Sequence, residues 1–171
     1  IDNLAFTGFR GTVVITGSFP PLSRIGSQAF QSASNAASKV ELLGELVPKL
    51  SAIKMIAFLD FKGTVIVKGS FPLLSQIGGR AFKQAVNADS KVELLGELLP
   101  KLSAIEYGVF DGFKGTLIVK GSFSVLSQIG ANAFYNVDNA DSKIELVDGL
   151  GKLTAIGPMA FYQFAGTVDI N

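Results

Sequence analysis

The chain contains no cysteine and no histidine. The first absence rules out a disulfide framework. Together they remove the commonest metal ligands and the usual nucleophile and general base of hydrolytic sites. No apolar run approaches the roughly 18 residues that cross a bilayer as a helix, although 48% of the residues are hydrophobic. Charge of either sign is sparse and balanced, 15 basic against 14 acidic residues, and no basic block is present. A nucleic-acid footprint needs clustered Lys and Arg, so the balance argues against that partner. No signal peptide is visible and the chain starts at Ile1, as expected of a processed or trimmed piece of something longer. Its 171 residues suffice for one domain with a sizeable core.

What is present is an internal repeat. Ile25-Gly26-Ser27-Gln28-Ala29-Phe30 returns as Ile77-Gly78-Gly79-Arg80-Ala81-Phe82 and as Ile129-Gly130-Ala131-Asn132-Ala133-Phe134. Looser copies run from Ile53 to Phe58, Ile105 to Phe110 and Ile156 to Phe161, and Ile1 to Phe6 keeps the same pattern. The motif Phe falls at Phe6, Phe30, Phe58, Phe82, Phe110, Phe134 and Phe161, in steps of 24, 28, 24, 28, 24 and 27. The unit is therefore a pair of coils about 52 residues long, and a period of this size means a solenoid.

Each coil carries one short run of β type: Val13-Val14-Ile15, Val40-Glu41-Leu42, Val65-Ile66-Val67, Val92-Glu93-Leu94, Leu117-Ile118-Val119, Ile144-Glu145-Leu146 and Val168-Asp169-Ile170. Branched residues bounded by Gly, Ser or polar clusters mark strands. An identical return each time makes them parallel, with the rest of each coil as the crossover. The expected architecture is an α/β repeat, one parallel strand per coil, about seven coils and little helix. Alternation along the strand predicts an inner ladder of Val13, Val40, Val65, Val92, Leu117, Ile144 and Val168. The motif Ile and Phe form two further ladders, and Phe19, Phe71 and Phe123 with Leu22, Leu50, Leu74, Leu102, Leu126 and Leu153 fill the rest.

Gly11, Gly63, Gly115 and Gly166 enter the strands and Gly17, Gly69 and Gly121 leave them, where tight bends favour positive φ. Prolines follow at Pro20, Pro21, Pro48, Pro72 and Pro100, in a return segment that needs no backbone donor. The tracts Ser32 to Ser38, Gln84 to Ser90 and Asn136 to Ser142 are expected as surface loops or a short helical turn.

The Ile-Gly-x-x-Ala-Phe core, the short strand per coil and the spacing near two dozen residues resemble the BspA-type leucine-rich repeats along the whole chain. Members often carry a Cys shortly after the motif Phe and a Pro just after the strand, and neither is seen here. The resemblance implies a leucine-rich-repeat solenoid, residues 1–171 forming a single domain; the lack of evident caps at its ends leads to the expectation of a segment of a longer array. It implies a cell-surface or extracellular address and a role in adhesion or protein recognition. It brings no catalytic residues and no cofactor.

On the strand face the expected columns are Thr12, Lys39, Thr64, Lys91, Thr116, Lys143, Thr167; then Val14, Glu41, Ile66, Glu93, Ile118, Glu145, Asp169; then Thr16, Leu43, Lys68, Leu95, Lys120, Val147, Asn171. Val14, Glu41, Ile66, Lys68, Glu93, Ile118, Lys120 and Glu145 are the binding candidates, because repeat proteins use exposed sheets to hold a protein partner or a host-surface ligand. The alternative for each is a solvated face whose Lys and Glu pair with one another. Catalysis is disfavoured: the glutamates recur with the repeat, whereas an active site needs one singular constellation. Asp138, Asn139 and Asp141 lack the spacing of a calcium loop and suit an Asx turn. The ends show no polar caps, which leaves open end-to-end or edge association, and with it a second role as a scaffold subunit of a larger assembly.

Overall fold

The structure, a computed structural model, describes residues 1–147 and 150–170. It is a β-solenoid of about six turns with two parallel sheets and almost no helix. The large sheet stacks β1 (Val14–Ile15), β3 (Lys39–Leu43), β5 (Thr64–Lys68), β7 (Lys91–Leu95), β9 (Thr116–Gly121), β11 (Lys143–Leu146) and β13 (Thr167–Ile170) in chain order. These are the strands expected from the sequence. At about 4.8 Å per strand, seven make a stack roughly 30 Å tall.

The expectation of one strand per coil is corrected by a second sheet. β2 (Arg24–Ile25), β4 (Ala52–Ile53), β6 (Gln76–Ile77), β8 (Ala104–Ile105), β10 (Gln128–Ile129) and β12 (Ala155–Ile156) pair in parallel order. Each is only two residues long and contains the motif Ile. Glycine follows in four of the six copies and ends the extended run. Two residues are too few for an alternating pattern to register. The α/β leucine-rich-repeat description therefore fits poorly: among the described residues the only helical turns are 3-10, Gly96–Leu98 and Leu150–Lys152.

The aromatic column is continuous. Phe6, Phe30, Phe58, Phe82, Phe110, Phe134 and Phe161 stack face to face, with ring centroids 5.0–5.8 Å apart and planes within 12°. A second column went unnoticed in the sequence. Phe9, Phe61, Phe113 and Phe164 meet the first edge-on, three residues after every other motif Phe. Stacked and edge-on pairs are both favoured aromatic arrangements, so the rings of alternate coils lock the column from the side. The expected fillers Phe71, Phe123, Leu50, Leu74, Leu102 and Leu126 are buried. Phe19 and Val168 are exposed and Leu22 and Leu153 only half-buried, because they lie on end rungs with a neighbour on one side alone.

The inner ladder is also corrected. Pairing advances 25 residues at every rung of the large sheet up to β11, whereas equivalent strand residues lie alternately 27 and 25 apart. Val40 faces Val65 and Val92 faces Leu117 as expected, but Val40 also faces Ile15, Val92 faces Val67 and Ile144 faces Val119. The strands slide by two residues at alternate rungs. A slide of two preserves which side chains point inward, so the core set survives the shift.

The slide leaves strand-entry donors without a ladder partner. Val13, Val65 and Leu117 donate their N–H groups to the Oγ of Ser38, Ser90 and Ser142, each at 3.0 Å. These serines are buried, as are Ala33, Ala85 and Val137. The three tracts expected as surface loops or helical turns thus contribute core residues and contain no helix. One glycine set is likewise reassigned. Gly17, Gly69 and Gly121 do have positive φ, between 95° and 97°. Gly63 and Gly115 do not; a Cβ there would lie 2.5 Å and 2.3 Å from the carbonyl oxygens of Ser38 and Ser90, so close approach excludes any side chain.

Candidate functional site

The outward face of the large sheet holds the sequence candidates, but the slide rearranges them. Glu41, Ile66, Lys91 and Thr116 are successive neighbours, and Glu93, Ile118, Lys143 and Thr167 form a second lane of the same composition. The expected straight columns are therefore replaced by lanes in which each isoleucine has a glutamate on one side and a lysine on the other. Val14 lies beside Lys39, away from Glu41, and is 61% exposed. Lys68 lies beside Leu43, and Lys120 lies between Leu95 and Glu145. Asn171 falls outside the described residues.

Each glutamate on this face is paired within its own strand. Lys39, Lys91 and Lys143 reach Glu41, Glu93 and Glu145 at 2.6, 2.7 and 2.7 Å, because residues two apart share a face. Glu145 has a second cation, Lys120, at 3.7 Å. The Lys143 ammonium, in close ion-pair contact with Oε2, and the Lys120 charge hold the Glu145 carboxyl below the ordinary carboxylate value, against the opposing effect of burial. Lys68 has no ion-pair partner among the described residues. The isoleucines stay half-buried between these pairs. Chemically the face can offer apolar contact and neutralised charge in a repeated pattern.

The Asx-rich loops are turn devices. Asn35, Asn87 and Asn139 each accept, through Oδ1, the N–H of the residue two further on at 2.9 Å. Asp138 is engaged by Lys114. Among the described residues no group of three or more acidic side chains could hold a metal ion, and no helix is long and apolar enough to cross a membrane. At the first rung Ile1, Phe6, Ile15, Phe19, Pro21 and Leu22 line an open apolar cavity of about 320 Å³.

A third side of the coil was missed altogether. The turns that follow the small sheet are stapled rung to rung by backbone hydrogen bonds: Leu4 to Ser27, Gln28 to Met55, Ile56 to Gly79, Arg80 to Tyr107, Gly108 to Ala131 and Asn132 to Pro158, at 2.9–3.2 Å. All three tyrosines of the chain lie on these turns. The Arg80 guanidinium sits 4.9 Å from the Tyr107 ring centre and donates to its hydroxyl at 3.3 Å. That bond, then the Arg80 charge and a contact with Asn132, hold the Tyr107 phenol below its ordinary value. Tyr135 and Tyr162 stack at 5.3 Å. The missed signal was variation: within the repeated motif these are the positions where the copies differ.

Comparison of the chain with protein-family models, with curated proteins and with solved structures finds no match.

Proposed function

We propose that the chain is a non-catalytic recognition or adhesion module acting on a protein at a cell surface or outside the cell. One observation carries this: an unbroken seven-stranded sheet presents half-buried Ile66 and Ile118 among ion pairs on its outward side, in two lanes of matching composition. Apolar groups held in register on a stiff surface suit contact with another macromolecule. The glutamates there are consumed by their own lysines and recur with the repeat, which suits a contact surface better than acid–base chemistry. The Ile-Gly-x-x-Ala-Phe turns support kinship with the BspA-type repeats. The second sheet is where this chain departs from the leucine-rich-repeat pattern.

The test is a pull-down from a cell-surface protein extract, run in parallel with the Ile66→Lys/Ile118→Lys variant. Proteins recovered by the native chain and lost by the variant support the sheet face. Recovery identical to that of an unrelated solenoid overturns the role.

A further inference from the structure

The two lanes of the large sheet are near copies of one another and so offer the same contacts twice. Residues that differ from coil to coil add contacts that the lanes lack. The turn side supplies them. At equivalent turn positions the coils carry Leu4, Gln28, Ile56, Arg80, Gly108, Asn132 and Met159, and after the motif Phe they carry Thr7, Gln31, Leu59, Lys83, Asp111, Tyr135 and Tyr162. The turns are held by their own backbone: besides the staples above, Phe30, Phe58, Phe82, Phe110 and Phe134 each donate an N–H to the next coil at 2.7–2.9 Å. The side chains differ from coil to coil even though the first set of positions shares a left-handed backbone, φ 56–63°, that most side chains adopt only at a cost.

One part of this side stands out from the rest. Arg80, Tyr107, Asn132, Tyr135 and Tyr162 occupy four consecutive rungs. Arg80 is ordered against Tyr107, and Tyr135 against Tyr162, so little side-chain entropy remains to be lost on contact. Tyr and Arg are the residue types that most often anchor protein interfaces. The neighbouring carboxylates are already engaged: Asp111 by Lys83 at 2.6 Å, and Glu106 by the Gly79 N–H at 2.7 Å and by Gln76. Arg80 has no carboxylate partner among the described residues. The acidic side chains of Asp111 and Glu106 beside Arg80 disfavour a polyanion. We propose that this turn side, centred on Arg80 and Tyr107, takes a protein partner that presents a loop carboxylate to the guanidinium with apolar side chains flanking it on the tyrosines. The proposal rests on the recognition role above and assigns it a second, non-periodic contact surface.

The test pans a phage-displayed library of cyclic peptides against the biotinylated full chain, then measures the affinity of enriched peptides for variants. The expected result is an Asp or Glu beside apolar residues in the enriched sequences. Arg80→Ala and Tyr107→Ala should each weaken binding by about tenfold or more, the loss typical of an interface anchor. Lys49→Ala, on a distant exposed corner, should bind as the native chain does, and unchanged circular dichroism should show that the variants fold. Peptides that ignore Arg80→Ala and Tyr107→Ala but are lost with Ile66→Lys/Ile118→Lys would overturn the turn-side assignment and leave the recognition role standing. No enrichment over an unrelated solenoid would count against that role itself. Heparin binding that is abolished by Arg80→Ala, with no peptide enriched, would make the occupant a polyanion and overturn the proposal.

Discussion

Phe82→Ala tests whether the aromatic column carries the stability of the stack. The ring is fully buried, lies face to face with Phe58 and Phe110 at 5.3 Å each, and meets Phe113 edge-on at 6.5 Å. Removing a buried Phe side chain costs about 3–5 kcal/mol in transfer and cavity terms. Two lost stacking pairs, at about 0.5–1.5 kcal/mol each, place this site toward the upper end. Phe161 is the internal control: half-buried, with a single stacked neighbour, Phe134 at 5.2 Å. Its truncation should cost about half as much, by the same burial and pair arguments. Urea unfolding followed by circular dichroism gives both numbers by linear extrapolation, and an unchanged slope shows that the same surface unfolds. A split transition for Phe82→Ala would mean that the central rung couples the two halves, as nearest-neighbour stability in a solenoid allows. A cost below about 1 kcal/mol for Phe82→Ala at unchanged slope would refute the column as the main source of stability, given the usual range for buried aromatics. So would a Phe161→Ala cost equal to it.

Ser90→Ala removes the buried hydroxyl that accepts the Val65 N–H, so it should cost about 1–3 kcal/mol, the penalty of a buried donor left without its acceptor. Ser34→Ala, at an exposed position, should cost nearly nothing in the same unfolding assay. Glu145 titrates below the ordinary carboxylate value when folded, so its contribution to stability is present above that value and is lost as pH falls through the folded pKa. Lys143→Ala should raise the Glu145 pKa toward the ordinary value, read from its side-chain carboxyl carbon by NMR; an unmoved titration would show that Lys143 does not set it.

What could be read from the sequence were the features that the repeat prints in bold. The motif phenylalanines, the seven strands and the inward set of Val40, Val65, Val92 and Leu117 all follow from spacing and alternation. Ser38, Ser90 and Ser142 recur at 52 residues just before a strand, but their role depends on the register between coils, which no single strand encodes. Phe9, Phe61, Phe113 and Phe164 also recur at close to 52 residues, and were hidden because attention to the stronger motif absorbs the aromatic signal. The small sheet was hidden for a different reason: a two-residue strand has no alternation to see. The eight binding candidates do lie on one outward face, yet their neighbours were misassigned for want of the slide.

That slide follows from two periods that disagree. The small sheet pairs at steps of 28 and 24, which sum to the 52 of the repeat, and the stacked Phe column keeps the same count. The large sheet pairs at 25 and 25, two residues short of it. Each pair of coils must therefore displace large-sheet neighbours by two residues, about 6–7 Å of strand, relative to the turns. Strand alternation permits only an even displacement, because an odd one would turn Val40 and Val65 outward and Glu41 and Ile66 into the core. The mismatch is absorbed at the entry of β5 and its equivalents, where a serine hydroxyl replaces the missing ladder acceptor. Deleting two residues from the tract 84–90 would bring Val65 and Val92 from 27 to 25 residues apart, the step at which the large sheet pairs, and so straighten that rung. It would move Ser90 off Val65 and break the hydrogen bond that makes the displacement tolerable.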